Sequence, residues 1–163
     1  MNSSSQHPIL LVVLALLVLA SGLFAAAGDT LSVGNSAGLP GVTGYTIPVN
    51  LRNVTTLKGL LFKIKDVPDS LEVTNVVPTG RASGFRAEWT TVGGTVKILM
   101  FPTITTTPLI TAGNGTIANL TVSVKPEAVR GAKATVTPDS VRASNNVQQA
   151  VTVYVKSGYF WYG

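Results

Sequence analysis

The chain has 163 residues, with 12 Lys and Arg against 7 Asp and Glu, one His and no Cys, which gives a formal net charge of +5. The single histidine is His7, so the chain after it has neither an imidazole nor a thiolate. That excludes a Ser-His-Asp or Cys-His nucleophile pair and an ordinary zinc site there. Only 12% of the residues are charged, and no long basic run exists. We therefore expect no nucleic-acid partner.

The first 27 residues read as a targeting segment. Residues 9–19 are all apolar, small residues follow, and Ala25 and Ala27 stand where a signal peptidase would read before Gly28. This pattern predicts a signal peptide over residues 1–27 and a protein that is secreted or located at the cell surface. The alternative is an uncleaved anchor, because residues 8–27 are about long enough to span a bilayer. Membrane contact is expected only through that segment.

From residue 30 onward, apolar and polar residues alternate in short runs separated by Gly, Pro, Asn and Asp. A period of two residues is typical of half-buried β-strands, and no segment has the 3.6-residue period of an amphipathic helix. The sequence therefore predicts an all-β, antiparallel sandwich of about nine strands. The predicted strands are residues 30–33, 45–51, 60–65, 71–77, 85–90, 96–100, 117–125, 132–136 with a continuation from 141, and 151–155.

The alternation also predicts which side chains enter the core. In the strand at residues 117–125, Ile117 is expected to face solvent, and Ala118, Leu120, Val122 and Val124 are expected to face the core. Three other strands are assigned the same way, with one face consisting of Leu71, Val73, Asn75 and Val77, another of Phe85, Ala87 and Trp89, and another of Val151, Val153 and Val155. Gly93-Gly94 predicts a two-residue hairpin turn between the strands at 85–90 and 96–100.

The order and spacing of these segments resemble the cohesin family, nine-stranded jelly-roll modules that bind dockerins in cellulose-degrading complexes. The resemblance covers residues 29–156 and is carried by YTIPVNL at 45–51, GLLFKI at 59–64, DVPDSLEV at 66–73 and LITAGNGTIANLTV at 109–122. It implies one cohesin-like domain over residues 28–157, which is non-catalytic and docks a dockerin-like or other cell-surface protein. It requires no metal or cofactor here, because the calcium of such pairs belongs to the dockerin.

The resemblance also implies a binding face, formed by the third, fifth, sixth and eighth strands of the family fold. The outward residues of the matching strands are Leu61, Lys63, Lys65, Arg86, Glu88, Lys97 and Leu99, with Arg142 beside them. The chain departs from the family on the third strand. Leu61, Lys63 and Lys65 stand where dockerin-binding members commonly carry Asn or Asp.

Two other features offer alternative functions. Residues 158–163 form an aromatic tail, and Tyr159, Trp161 and Tyr162 could stack on sugars, as in a carbohydrate-binding module, or fold back over the sandwich. A third function is a surface-filament subunit, in which a terminal strand completes a neighbour's sheet. Sequons at Asn53, Asn114 and Asn119 could carry N-linked glycans.

The carboxylates give little sign of catalysis or of metal binding. A two-carboxylate glycosidase is formally open, but of the seven acidic residues only Glu88 lies away from turns and strand ends. Asp66, Asp69 and Glu72 could be read as calcium ligands, although Asp residues on either side of Pro68 more simply cap a turn. We expect no enzymatic activity, no metal and no cofactor.

Overall fold

The computed structural model describes residues 28–103 and 108–163, so the predicted signal peptide lies outside the described residues. No helix in the described ranges is long and apolar enough to cross a membrane. A short 3₁₀ turn (Gly80–Ala82) accompanies twelve strands. They are β1 (Asp29–Val33), β2 (Ser36–Gly38), β3 (Tyr45–Asn53), β4 (Leu57–Val67), β5 (Leu71–Pro78), β6 (Phe85–Val92), β7 (Thr95–Pro102), β8 (Gly113–Val124), β9 (Lys133–Asn145), β10 (Ala150–Val151), β11 (Val153–Lys156) and β12 (Gly158–Tyr162).

The strands form two sheets that pack face to face, which confirms the predicted all-β sandwich. The five-stranded sheet has the order β11-β1-β3-β8-β5. The seven-stranded sheet has the order β2-β12-β9-β4-β7-β6, with β10 added against β9. Apolar side chains from both inner faces make one core, in which Leu31, Phe62 and Leu120 are fully buried.

The predicted facing of β8 is right for four residues and wrong for Ile117. Ala118, Leu120, Val122 and Val124 are buried as expected, but Ile117 is also fully buried. The cause is a β-bulge. Val49 pairs with Ala118 and Asn50 with Thr116, which leaves Ile117 as the extra residue. An extra residue breaks the two-residue alternation, so two consecutive side chains enter the core.

A second irregularity in pairing reverses the predicted facing in the second half of β5. The register shifts between Val73 and Asn75. The predicted core-facing series Leu71, Val73, Asn75, Val77 therefore holds only for its first two residues. Val76 is buried and Val77 is 45% exposed, which is the reverse of the expectation. A shift of one residue moves every later side chain to the opposite face.

The C-terminal part of the chain also differs from the prediction. The run at 132–136 and its continuation form one strand, β9, with a bulge at Ser140, whose φ is +49°. Residues 151–155 do not form one strand but divide into β10 and β11, and Val155 is exposed.

Residues 158–162 are strand β12 of the sandwich rather than a separate tail. β12 pairs with β9 and β2, and it buries Phe160 and Tyr162 while Tyr159 and Trp161 face solvent. Gly158 permits this close approach, because a Cβ there would lie 2.5 Å from the carbonyl oxygens of Val33 and Gly34. The domain therefore continues past residue 157.

Candidate functional site

The outward surface of the seven-stranded sheet brings together the binding residues predicted from sequence. It is formed by β9, β4, β7 and β6, which lie side by side in that order. We call this surface the basic face and define it by Leu61, Lys63, Lys65, Arg86, Glu88, Lys97, Leu99 and Arg142. All of these side chains are exposed except Leu61, which is half-buried.

Strand register arranges the basic face in rows that cross the strands. In one row Leu61 pairs with Leu99 of β7 and with Arg142 of β9, and Leu99 also pairs with Glu88 of β6. In the next row, Lys63 pairs with Lys97 of β7. Directly opposed side chains on neighbouring strands have Cβ atoms about 4.5–5.5 Å apart. The two lysines are therefore close neighbours, and a short apolar row lies next to them.

The bulge in β9 makes a depression in this surface. Arg142 lies opposite Leu61 and Asp139 opposite Lys63, so β9 has one residue more than β4 over the same span. The depression has a volume of about 280 Å³, and it is lined by Leu61, Lys63, Lys97, Ser140 and Arg142. Three cationic side chains around one concave surface favour an anionic group there.

Asp139, the acidic residue opposite Lys63, makes no ion pair with it. The Asp139 carboxylate accepts a hydrogen bond from the Ser140 backbone N–H at 2.7 Å, within the bulge itself. In the described part of the chain the ion pairs are Arg86 with Glu88 at 3.5 Å and Lys125 with Asp69 at 2.8 Å. Lys63 and Lys97 thus have no intramolecular ion pair among the described residues.

Sequence reasoning missed three contributors to this surface. Asp139 lies on the outward side of β9 just before the bulge, and Ser140 lies in the bulge. Phe101 lies beneath the Arg86 guanidinium, whose carbon is 5.5 Å from the ring centroid. The alternation of β7 could have indicated Phe101, because it lies two residues after Leu99. No sequence pattern indicated the bulge.

The aromatic residues proposed for sugar stacking point to opposite sides of β12. Tyr162 is only 2% exposed, so it cannot offer a ring face to a sugar, which corrects that assignment. Tyr159 and Trp161 are 39% and 47% exposed on the same side of the sheet as the basic face. The ammonium of Lys133 lies 4.1 Å from the Tyr159 ring centroid and 4.8 Å from that of Trp161. A lysine already makes a cation–π contact with each exposed ring.

The three sequons differ in accessibility. Asn53 is buried, and its Nδ2 donates to the carbonyls of Thr55 at 2.6 Å, Thr111 at 3.2 Å and Ile110 at 3.3 Å. A glycan on that nitrogen is incompatible with the folded chain, which corrects the assignment of Asn53 as an acceptor. Asn114 is exposed and Asn119 is half-buried on the outward face of β8.

Asp66 and Asp69, two of the candidate calcium ligands, make contacts that stabilise the turn between β4 and β5. Asp66 accepts hydrogen bonds from the backbone N–H groups of Ser70 at 2.6 Å and Leu71 at 2.8 Å, and Asp69 pairs with Lys125. Burial raises the pKa of Asp66 above its ordinary value, and the two backbone hydrogen bonds oppose that rise. In the described ranges, no group of three or more His, Cys, Asp or Glu side chains could hold a metal ion.

Comparison with known proteins gives consistent results. The family model described as "Cohesin domain" matches residues 30–159. Among solved structures, the sixth cohesin of scaffoldin B from Acetivibrio cellulolyticus, in complex with a mutant Cel5 dockerin, is 22% identical with a TM-score of 0.70, covering 84% of this chain and 100% of that one. The non-cellulosomal cohesin from the archaeon Archaeoglobus fulgidus is 17% identical with a TM-score of 0.67, covering 82% and 90%. A search of curated proteins finds no match.

Proposed function

Because the chain belongs to the cohesin domain family, we propose that it is a non-catalytic protein-docking module whose partner binds the basic face. Several of the solved structures that it resembles are cohesins in complex with dockerins. They support a protein partner. That the partner covers one sheet of the sandwich is what the family resemblance implies.

The observation that carries the proposal is the row of Lys63 and Lys97 beside the Leu61–Leu99 row. An apolar centre with charges around it is the usual composition of a protein interface. Like charges directly opposite each other on a sheet destabilise it slightly, and neither lysine makes an ion pair with a described acidic side chain, although Asp139 lies opposite Lys63. An acidic partner would remove that cost on binding and would be attracted to the face before contact.

The partner differs in chemistry from a typical dockerin. Members that bind dockerins commonly carry Asn or Asp where this chain has Leu61, Lys63 and Lys65. We therefore propose a partner that presents carboxylates towards Lys63, Lys97 and Arg142 and an apolar side chain towards Leu61 and Leu99. The depression at the β9 bulge accommodates one of those carboxylates.

A charge reversal tests the proposal. The partner is first captured from the source cell surface with the immobilised protein and identified by mass spectrometry. Binding of the purified pair is then compared for the original chain, the double variant K63E/K97E and the control R130E/K156E, which makes the same change in net charge away from the basic face.

We expect K63E/K97E to weaken binding by about tenfold or more and to remove most of its salt dependence, while the control retains both. Binding that is insensitive to the reversal and equal at low and high salt contradicts this site. In that case the exposed pair Tyr159 and Trp161 becomes the surface to test, by truncating both and measuring binding to glycans.

We also propose that the protein acts outside the cell, in an assembly that could be associated with polysaccharide. The support is the sequence of residues 9–27, with its apolar run and its small residues before Gly28. A docking module outside the cell would bind another exported protein into such an assembly.

A further inference from the structure

Strand β6 is an edge of the seven-stranded sheet, and no other strand of the described residues pairs with one side of its backbone. The hairpin that joins it to β7 determines which groups are on that side. Its turn residues Gly93 and Gly94 have φ values of +55° and +72°, which is a two-residue turn of the type I′ class. Such a turn closes on a hydrogen-bonded pair, here Val92 and Thr95.

Hydrogen-bonded and non-hydrogen-bonded pairs alternate along an antiparallel ladder. Counting from Val92, the residues Thr90, Glu88 and Arg86 bond to β7, and Thr91, Trp89 and Ala87 direct their N–H and C=O groups to the open edge. Pro102 agrees with this count. It lies opposite Phe85, at a non-hydrogen-bonded pair, where its missing N–H is not needed.

Several features that usually prevent edge pairing are missing from β6, although it carries Arg86 and Glu88. Residues 85–92 contain no Pro, Gly or Lys, and their pairing with β7 is continuous, without a bulge. No hydrogen bond from the described residues reaches the open side of Ala87, Trp89 or Thr91. Trp89 is 38% exposed although it points to the inner side of the sheet, because the sandwich ends there.

We propose that two copies of this protein associate edge to edge through β6, antiparallel, about a two-fold axis at Ala87. In that register Ala87 bonds to Ala87 of the second copy. On the outward side, Arg86 faces Glu88 of the second copy and Glu88 faces its Arg86. On the inner side, Trp89 lies opposite Phe85 of the second copy.

Charge complementarity selects this register. The axis can pass through a hydrogen-bonded or a non-hydrogen-bonded pair, so each residue of β6 is a possible centre. An axis at Arg86 or at Glu88 places that residue opposite its own copy, so like charges meet. An axis at Trp89 places Arg86 opposite Val92 and Glu88 opposite Thr90, so neither charge meets its opposite. An axis at Ala87 makes two Arg–Glu pairs by symmetry, and opposite charges on facing strands stabilise a sheet.

The association does not depend on the proposed docking function, but it bears on it. A two-fold axis perpendicular to the sheet keeps both outward surfaces on the same side. The dimer would therefore present two basic faces side by side and bind a bivalent partner with higher avidity.

Sedimentation equilibrium of the purified protein over a range of concentrations tests the inference. We expect a monomer–dimer equilibrium that R86E weakens about tenfold, since two attractive pairs become two Glu–Glu contacts. The double variant R86E/E88R restores the opposite-charge pairs and should restore dimerisation. Each variant's urea midpoint checks that the fold is intact.

A backbone variant provides an independent measurement. A87P removes an N–H that faces the open edge and leaves the β7 ladder complete, so it should abolish the dimer and preserve the fold. The inference is overturned if the original chain stays monomeric up to about 1 mM, or if R86E has no effect. It is also overturned if R86E weakens the dimer and R86E/E88R does not restore it.

Discussion

Phe160→Ala tests whether the C-terminal aromatic segment belongs to the core. The Phe160 ring is fully buried, lies 5.9 Å from the Tyr45 ring centroid at an interplanar angle of 69°, and lies 5.8 Å from that of Tyr162. Truncating a buried Phe to Ala costs about 3–5 kcal/mol, and the loss of two aromatic contacts places this site in the upper half of that range. A domain of this size has a total stability of about 5–15 kcal/mol.

The neighbouring residue provides the control. Trp161 is larger than Phe160 but is 47% exposed, and its described ring contact is with the Lys133 ammonium. We expect Trp161→Ala to cost about 1 kcal/mol. The free energy of unfolding is measured by urea titration with far-UV circular dichroism. With an m-value of about 2 kcal/mol/M, Phe160→Ala should lower the midpoint by about 2 M and Trp161→Ala by about 0.5 M.

Two results would refute this reasoning. Equal midpoints for the two variants would mean that the inward and outward assignments within β12 are wrong. A midpoint for Phe160→Ala that matches the original chain would mean that residues 158–162 do not pack on the core at all.

Two further predictions concern pH and processing. Burial raises the pKa of Asp66 above its ordinary value of 3.8, so the folded state favours the neutral carboxyl. The neutral carboxyl therefore contributes to the stability of the folded protein at low pH, and that contribution is lost as pH rises through the folded-state pKa. The original chain should therefore lose stability relative to Asp66→Asn as pH increases from 3 to 7. A stability difference that is constant with pH, or one that changes in the opposite direction, contradicts this. The exported protein should begin at Gly28 by N-terminal sequencing, and recovery of residues 9–19 in the membrane fraction would instead indicate an anchored protein.

The alternation of residues predicted which side chains share the basic face, because β4 and β7 pair without interruption. Lys63 and Lys97 lie two residues from their apolar neighbours on each strand, and continuous pairing places them opposite each other. In a strand without a bulge, the sequence alone predicts which side chains share a face, because every second side chain points to the same side. The grouping of Leu61 with Leu99 follows from the same register.

The misassigned residues lie where the chain inserts an extra residue. Ile117 is the extra residue of one bulge and Val76 follows another, and a bulge is determined by the partner strand, which a single-sequence pattern does not contain. Asn53 illustrates another limit. Its amide is buried by hydrogen bonds to residues more than fifty positions away, so its sequon gave no sign of its inaccessibility.

The aromatic segment was ambiguous for a different reason. Tyr159, Phe160, Trp161 and Tyr162 are all aromatic, so the sequence has no polar residue to mark the outward side of the strand. The residues of β9 that lie opposite these aromatic side chains determine which of them face solvent and which enter the core. Lys133 of β9 lies opposite Trp161 and interacts with its ring, while Ala134 opposite Phe160 leaves room for a large side chain in the core.

The energetics of the basic face support a role in binding rather than in folding. Lys63 and Lys97 face each other across two central strands, where opposed cations cost a few tenths of a kcal/mol to about 1 kcal/mol and add nothing to the core. The protection that lysines commonly give against strand pairing is useful at a sheet edge. Yet β4 and β7 are internal strands, and the edge strand β6 carries no lysine. Lysines on internal strands, and their absence from the edge strand, agree with the proposed acidic partner at the sheet centre and with the proposed pairing of the edge with a second copy.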